Sequence, residues 1–301
     1  MKLKVVLILF ALILQVGMNS CVFGQNSKGL YVDDFKNILG QQDKEQELLD
    51  YAKQNHFNYL ILYNTAFIQR NKYPLDRKEG IEVWRAFIKK AKNEYGVSKI
   101  GIVGEKAASF IPALTYNEKV LYARTEKIDV FNIEFEFWNA RLTNNSGYYC
   151  LSYLAKNGYE CTSDGAFQFY IEQLDELKTF SKLAQVETET YIGNPSDEQL
   201  AQLSTKIDRL LIHYYRTHVD RIAFYKLNRL QVIEKVNPKL KIAPIFSSRE
   251  NHLKPWLITH AIDEVKPIFF DQLKSIPEIK QESLNFDGIV WYRYTSMPRN
   301  K

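Results

Sequence analysis

Two glutamates, Glu134 and Glu136, stand at i and i+2 within Asp129-Val-Phe-Asn132-Ile-Glu134-Phe-Glu136-Phe-Trp138-Asn139. Strand side chains alternate, so Asn132, Glu134, Glu136 and Trp138 face one way and Ile133, Phe135 and Phe137 the other. The apolar face must be buried, so the carboxylates on the opposite face must line a cavity or a site. Acids that close together repel each other. Repulsion combined with burial raises the pKa of one of them and makes it a proton donor.

Other residues of the same chemical character fall at the ends of apolar runs. Glu187, Glu189 and Tyr191 share one face, as do His213 and Tyr215, and Trp291, Tyr292, Arg293 and Tyr294 crowd the last run. Acids, phenols and an indole around one opening suit a carbohydrate better than a phosphate. The elements that must position them are strands near 29–34, 58–64, 99–104, 129–138, 186–192, 207–215, 240–246 and 288–294. Helical periodicity lies between them: Trp84, Phe87, Ile88 and Ala91 fall at i, i+3, i+4 and i+7, with Gly96 placed to stop the helix. Phe167, Tyr170, Ile171 and Leu174 repeat that spacing, and Ser196-Asp-Glu-Gln199 reads as a capping box. Strand and helix alternating about eight times in one domain predict an α/β fold, a (β/α)8 TIM barrel with its site at the C-terminal ends of the strands. Seven residues follow Tyr294, so a full eighth outer helix is not expected. Tyr31-Val-Asp-Asp-Phe35 after the first run is not a G-x-G-x-x-G loop, which argues against a doubly wound sheet.

Residues 1–24 read as an export signal, with Lys2 and Lys4 ahead of an apolar stretch at 5–14, and the barrel domain is expected over 25–301. Cleavage before Gln25 is the preferred reading. Met18-Asn19-Ser20 before Cys21 is a poor lipobox, which leaves lipid anchoring at Cys21 as the alternative. The expected location is therefore periplasmic, cell-surface or extracellular. Removing two lysines and no acids lowers the formal charge from +5 to +3, too weak a balance to imply nucleic acid. No membrane span is expected, and the oligomeric state is left open. Cys150 and Cys161 are either bonded or two half-buried thiols. The five histidines show no metal-ligand spacing and no G-x-S-x-G is present, so no cofactor, metal or serine nucleophile is expected.

Asp129-x-x-Asn132-x-Glu134-x-Glu136 resembles the D-x-x-D-x-D-x-E signature of family 18 glycoside hydrolases, the chitinase and endo-β-N-acetylglucosaminidase group, with its two middle acids altered. The resemblance implies that Glu136 protonates the leaving oxygen and Glu134 orients the substrate's 2-acetamido group, whose own oxygen attacks the sugar. Glu134 would then help to hold Glu136 protonated. Tyr215 resembles the tyrosine that contacts the acetamido carbonyl. Gly288-Ile-Val-Trp291-Tyr292 resembles the closing strand, whose aromatic side chain floors the sugar pocket, with Tyr292 favoured over Trp291. Asn132, Trp138, Glu189 and His213 complete the expected substrate contacts. In an offset register, Asn132-Ile-Glu134 resembles the Asn-x-Glu of family 85 endo-β-N-acetylglucosaminidases and makes Glu134 the acid. Ile102-Val-Gly-Glu105 stands where family 18 has Ser-x-Gly-Gly.

The expected function is therefore hydrolysis of N-acetylglucosamine-containing glycans, with an oligosaccharide or a glycoprotein glycan as partner. The altered motif supports an alternative, a non-catalytic glycan- or protein-binding barrel of the same descent. A third reading pairs Glu136 with Glu189 as the acid and base of a different barrel hydrolase. Glu134 and Glu136 bound to basic side chains in a structural network, or Glu187 and Glu189 facing solvent, are the plainer readings of the acids. A packed core histidine is the plainer reading of His213.

Overall fold

The computed structural model describes residues 27–120 and 123–299. The leader, its cleavage point before Gln25 and Cys21 lie outside these residues. The strands are β1 (Lys28–Val32), β2 (Tyr59–Leu62), β3 (Lys99–Gly104), β4 (Val130–Ile133), β5 (Glu187–Ile192), β6 (Arg209–His213), β7 (Lys241–Ser247), β8 (Asn285–Phe286) and β9 (Ile289–Tyr292). All pairings are parallel. β1 to β7 follow one another, β6 pairs with β7, β7 with β9 and β9 with β1, which closes the barrel. The two-residue β8 lies outside this ring, paired only to β7. The eight barrel strands are therefore β1 to β7 and β9, with helices wrapped around them, a (β/α)8 barrel.

Local chemistry explains the outer layer. The helix Lys78–Tyr95 buries Trp84, Phe87, Ile88 and Ala91 and ends at Gly96, whose φ of 72° suits glycine. Burying Phe87 and Ile88 is worth roughly 1.5–3 kcal/mol each. The helix Ser163–Ala184 buries Phe167, Tyr170 and Leu174, while Ile171 is only half-buried. Ser196 and Gln199 form a complete capping box on the helix Asp197–Ser204. Among the described residues, β9 is followed only by the turn Tyr294–Ser296 and a short tail. Tyr294 packs edge-on against Tyr51 at 5.6 Å, and the Arg299 guanidinium sits 4.1 Å over Tyr294.

Strand register places Val103, Asn132, Glu189 and Arg209 side by side on β3 to β6. This level forms the barrel floor. Arg209 and Glu189, both fully buried, lie 2.6 Å apart. Tyr59 donates to Glu189 at 2.7 Å and the Asn132 amide donates at 2.6 Å, so the buried charges are paired and bonded. Glu134 stands two residues beyond Asn132, just past the end of β4, and Glu136 two beyond that, toward the mouth. No helix among the described residues is long and apolar enough to cross a membrane.

Candidate active site

The alternation expected for the fourth strand is present. Phe131, Ile133, Phe135 and Phe137 join the core between strands and helices, whereas Val130 joins the barrel-interior set with Tyr31, Tyr59, Ile61 and Val103. Asn132, Glu134 and Glu136 follow Val130 on that inner face. β4 ends at Ile133, and the Glu134 amide donates to Gly104 O at 2.8 Å, which keeps the chain beside β3 as it leaves the sheet.

Glu134 is only 8% exposed and accepts a place among phenols. Burial pushes its pKa from 4.5 to about 8, opposed by a hydrogen bond with Tyr31 and reinforced by the charges of Glu136, Glu105 and Glu189. Such a carboxyl carries its proton at neutral pH. The raised proton affinity thus falls on Glu134, one level deeper than the family 18 register places the acid, because this is the level where the barrel wall excludes water. Glu136 is half-buried at the mouth. Tyr191 donates to its Oε1 at 2.9 Å and the Asn139 amide to its Oε2 at 2.9 Å, while its backbone N–H donates to Tyr149 at 3.1 Å.

An aromatic arc rims the two acids. Tyr191 stacks on His213 at 4.7 Å, His213 on Tyr215 at 4.2 Å, and Tyr215 on Tyr292 at 5.9 Å. Tyr292 also meets Tyr31 edge-on at 5.7 Å. Tyr191, Tyr215 and Tyr292 are raised by burial first, with the Glu134 carboxylate among the further causes, and Tyr63 is raised first by that carboxylate. The phenols therefore stay protonated and can donate hydrogen bonds. Burial, then Lys226 and His252, lower His213 to about 3, so the imidazole is neutral and too weak a base to take a proton near pH 7. Trp138 stands half-buried beside Tyr191, edge-on at 6.0 Å. Gly193 makes room for it, since a Cβ there would lie 2.7 Å from the indole nitrogen.

Three expected contacts are corrected. Glu189 is bonded to Arg209, Tyr59 and Asn132 at the floor rather than paired with Glu136. Asn132 is fully buried at that same level, its amide committed to Glu189 and to Tyr31 at 3.1 Å. Trp291 points out of the barrel and packs against Phe246 at 5.7 Å, leaving Tyr292 on the interior face. Glu187 likewise sits at the N-terminal end of its strand, paired with Lys99 at 2.8 Å.

Two features were not singled out from the sequence. Tyr31 and Tyr63 complete the phenol ring around Glu134, and Glu105, just beyond β3, accepts a hydrogen bond from Tyr148 at 2.8 Å and another from Tyr153. The parity of Val103 signals Glu105, since residues two apart share a face. Cys150 and Cys161 are bonded, with Cα atoms 5.1 Å apart, and pin the loop that carries Tyr149 and Tyr153. At the end of β7 stand Ser247 and Ser248, both fully buried, and Ser247 meets His252 Nδ1 at 2.7 Å. No carboxylate occupies that strand end. Among the described residues, no three His, Cys, Asp or Glu side chains gather to hold a metal ion.

No family model and no curated protein sequence matches the chain. Solved structures match it by shape. A GH5_18 variant from Streptomyces cattleya in complex with Manβ1-4GlcNAc aligns with a TM-score of 0.58 at 9% identity, over 89% of this chain and 71% of that one. A GH5_18 variant from Bifidobacterium longum subsp. longum holding the same disaccharide gives 0.57 at 11% identity, over 89% and 68%. GH5_18 from Streptomyces cattleya in complex with GlcNAc gives 0.53 at 11% identity, over 89% and 70%. The fold is glycoside-hydrolase-like. At such identities the likeness is one of fold alone.

Proposed function

We propose that this chain is an exported glycoside hydrolase acting on N-acetylglucosamine-containing glycans by a substrate-assisted, retaining mechanism. The observation that carries the reading is Glu134, a buried acid one level below the mouth of the barrel, ringed by Tyr31, Tyr63, Tyr191, Tyr215 and Tyr292, with its pKa pushed up to about 8. The empty end of β7 adds support, because a mechanism in which the substrate supplies its own nucleophile needs no second carboxylate there. The GH5_18 structures holding Manβ1-4GlcNAc and GlcNAc are consistent with the same sugar.

In this reading Glu134 gives its proton to the glycosidic oxygen as the bond to the anomeric carbon breaks. The acetamido oxygen of the substrate bonds to that carbon from the opposite face. Glu136, oriented by Tyr191 and Asn139, accepts the acetamido N–H and steadies the positive charge that develops. Water then attacks the anomeric carbon as its bond to the acetamido oxygen breaks, gives a proton to Glu134 and restores the original configuration. Tyr215 and Tyr292 supply hydroxyl donors and apolar faces for the ring. Relative to the family 18 register, the roles of the two glutamates are exchanged, in line with their burial.

Hydrolysis of labelled chitooligosaccharides or a high-mannose glycopeptide tests the assignment. Glu134→Gln should lower turnover by about 10²–10⁴-fold, the usual contribution of a general acid, while keeping binding. Unchanged turnover would remove Glu134 from the mechanism. A second reading, a barrel that binds glycan without cutting it, is favoured by the commitment of the Asn132 amide to Glu189. Binding without turnover by the parent protein would select it.

A further inference from the structure

A cleft of ≈ 550 Å³ lies past the ends of β2 and β3, against the disulfide-pinned loop, lined by Tyr63, Val103, Glu105, Lys106, Tyr148 and Tyr153 among others. Tyr63 and Val103 belong both to the cleft lining and to the barrel-interior set, so the cleft shares two residues with the face that carries the acids. The catalytic reading above uses none of Glu105, Tyr148 or Tyr153.

We propose that this cleft is a further sugar subsite, in which Glu105, Tyr148 and Tyr153 hold another neutral, hydroxyl-rich residue of the same glycan. The proposal rests on the glycan-cleaving reading and extends it. Its first support is the free valence of Glu105. Both phenols donate to Oε2, and Oε1 accepts no hydrogen bond from a described residue. A carboxylate oxygen facing a cleft with lone pairs unused is an acceptor for hydroxyl donors, which a sugar ring supplies in adjacent pairs. No lysine or arginine among the described residues forms an ion pair with Glu105, and its charge disfavours an acidic sugar.

The second support is the wall. Tyr148 is 48% exposed and lines the cleft, so its ring can stack on a sugar. It is held in place rather than loose. Its hydroxyl is bonded to Glu105, its ring meets Tyr153 edge-on at 5.9 Å, and Tyr153 stacks on Phe169 at 6.0 Å. The Cys150–Cys161 bond brackets Tyr153 in the chain, and Tyr149 stacks on Phe135 at 4.0 Å, which ties the loop to the strand that carries Glu134. A wall ordered before binding loses little entropy when a ring docks. The cleft volume also falls within the range of roughly 300–1,000 Å³ found for small-molecule sites.

Calorimetry with N-acetylglucosamine and chitotetraose tests the subsite, in a Glu134→Gln background that blocks turnover. The ratio of the two dissociation constants reports how much the added residues contribute. Chitotetraose should bind at least about tenfold more tightly, about 1.4 kcal/mol, and either Tyr148→Ala or Glu105→Gln should bring the ratio close to one. Glu105→Gln preserves shape, so it guards against a folding defect in the other variant. A ratio that survives both substitutions, or no preference for length at the outset, overturns the subsite even if the parent protein cleaves glycans. If neither sugar binds and the parent cleaves no glycan, the catalytic reading falls and the subsite falls with it.

Discussion

Replacing Glu134 by glutamine should make the protein more resistant to alkali, and the size of the effect follows from the site. In the unfolded chain this carboxyl titrates near 4.5, and in the fold near 8. Between those values the folded protein holds a proton that the unfolded chain has lost. Stability from this group is therefore complete below 4.5 and is lost as the pH rises through 8. At about 1.4 kcal/mol per pKa unit, the loss is roughly 1 kcal/mol at pH 5, 3 at pH 7 and 5 at pH 9. Glutamine keeps the shape and does not titrate, so its own packing or hydrogen-bonding cost is the same at every pH. The difference in unfolding free energy between Glu134→Gln and the parent should thus swing by roughly 4 kcal/mol toward the variant from pH 5 to pH 9. Urea unfolding at five pH values, followed by tyrosine and tryptophan fluorescence, measures the swing. A difference that is flat across this range, or that changes only near pH 4.5, would refute the burial argument for Glu134.

Glu136→Gln removes one of the charges that raise Glu134, so the Glu134 pKa should move down, and the alkaline limb of any activity should move with it. A limb that stays in place would show that the two acids do not feel each other. Arg209→Met strands Glu189 in the barrel floor and should cost about 3–5 kcal/mol, most of it recovered when Glu189→Gln is added. Equal destabilisation by the double variant would contradict the pairing. Cys150→Ser opens the loop closed by the disulfide and should cost about 2–4 kcal/mol, seen as a lower unfolding midpoint. A midpoint equal to that of the parent would show that the loop is held without the bond.

Much of the barrel was legible because side-chain period is a local property. The alternation from Phe131 to Phe137, the helical spacing of Trp84 to Ala91 and the Ser196 box each name an element without reference to the rest of the chain. The level of each inward side chain was not legible, because it depends on how neighbouring strands are staggered. Asn132 and Glu189 read as substrate contacts in sequence, and register with Arg209 puts them on the floor. Trp291 and Tyr292 are both aromatic, so composition could not say which one faces inward; parity with Val290, whose side chain lies in the barrel interior, decides it once the closing pair with β1 is known. The choice between the two glutamates turned on depth as well. Motif spacing favoured Glu136, while burial favours Glu134.

The most direct test of the account is the pH dependence of kcat/KM for chitotetraose cleavage, measured on the parent protein and on Glu134→Gln between pH 5 and 9. The account predicts activity that falls as the pH rises through about 8, where Glu134 gives up its proton, and little activity at any pH in the variant. Activity that climbs through that range, or a variant as active as its parent, would contradict it.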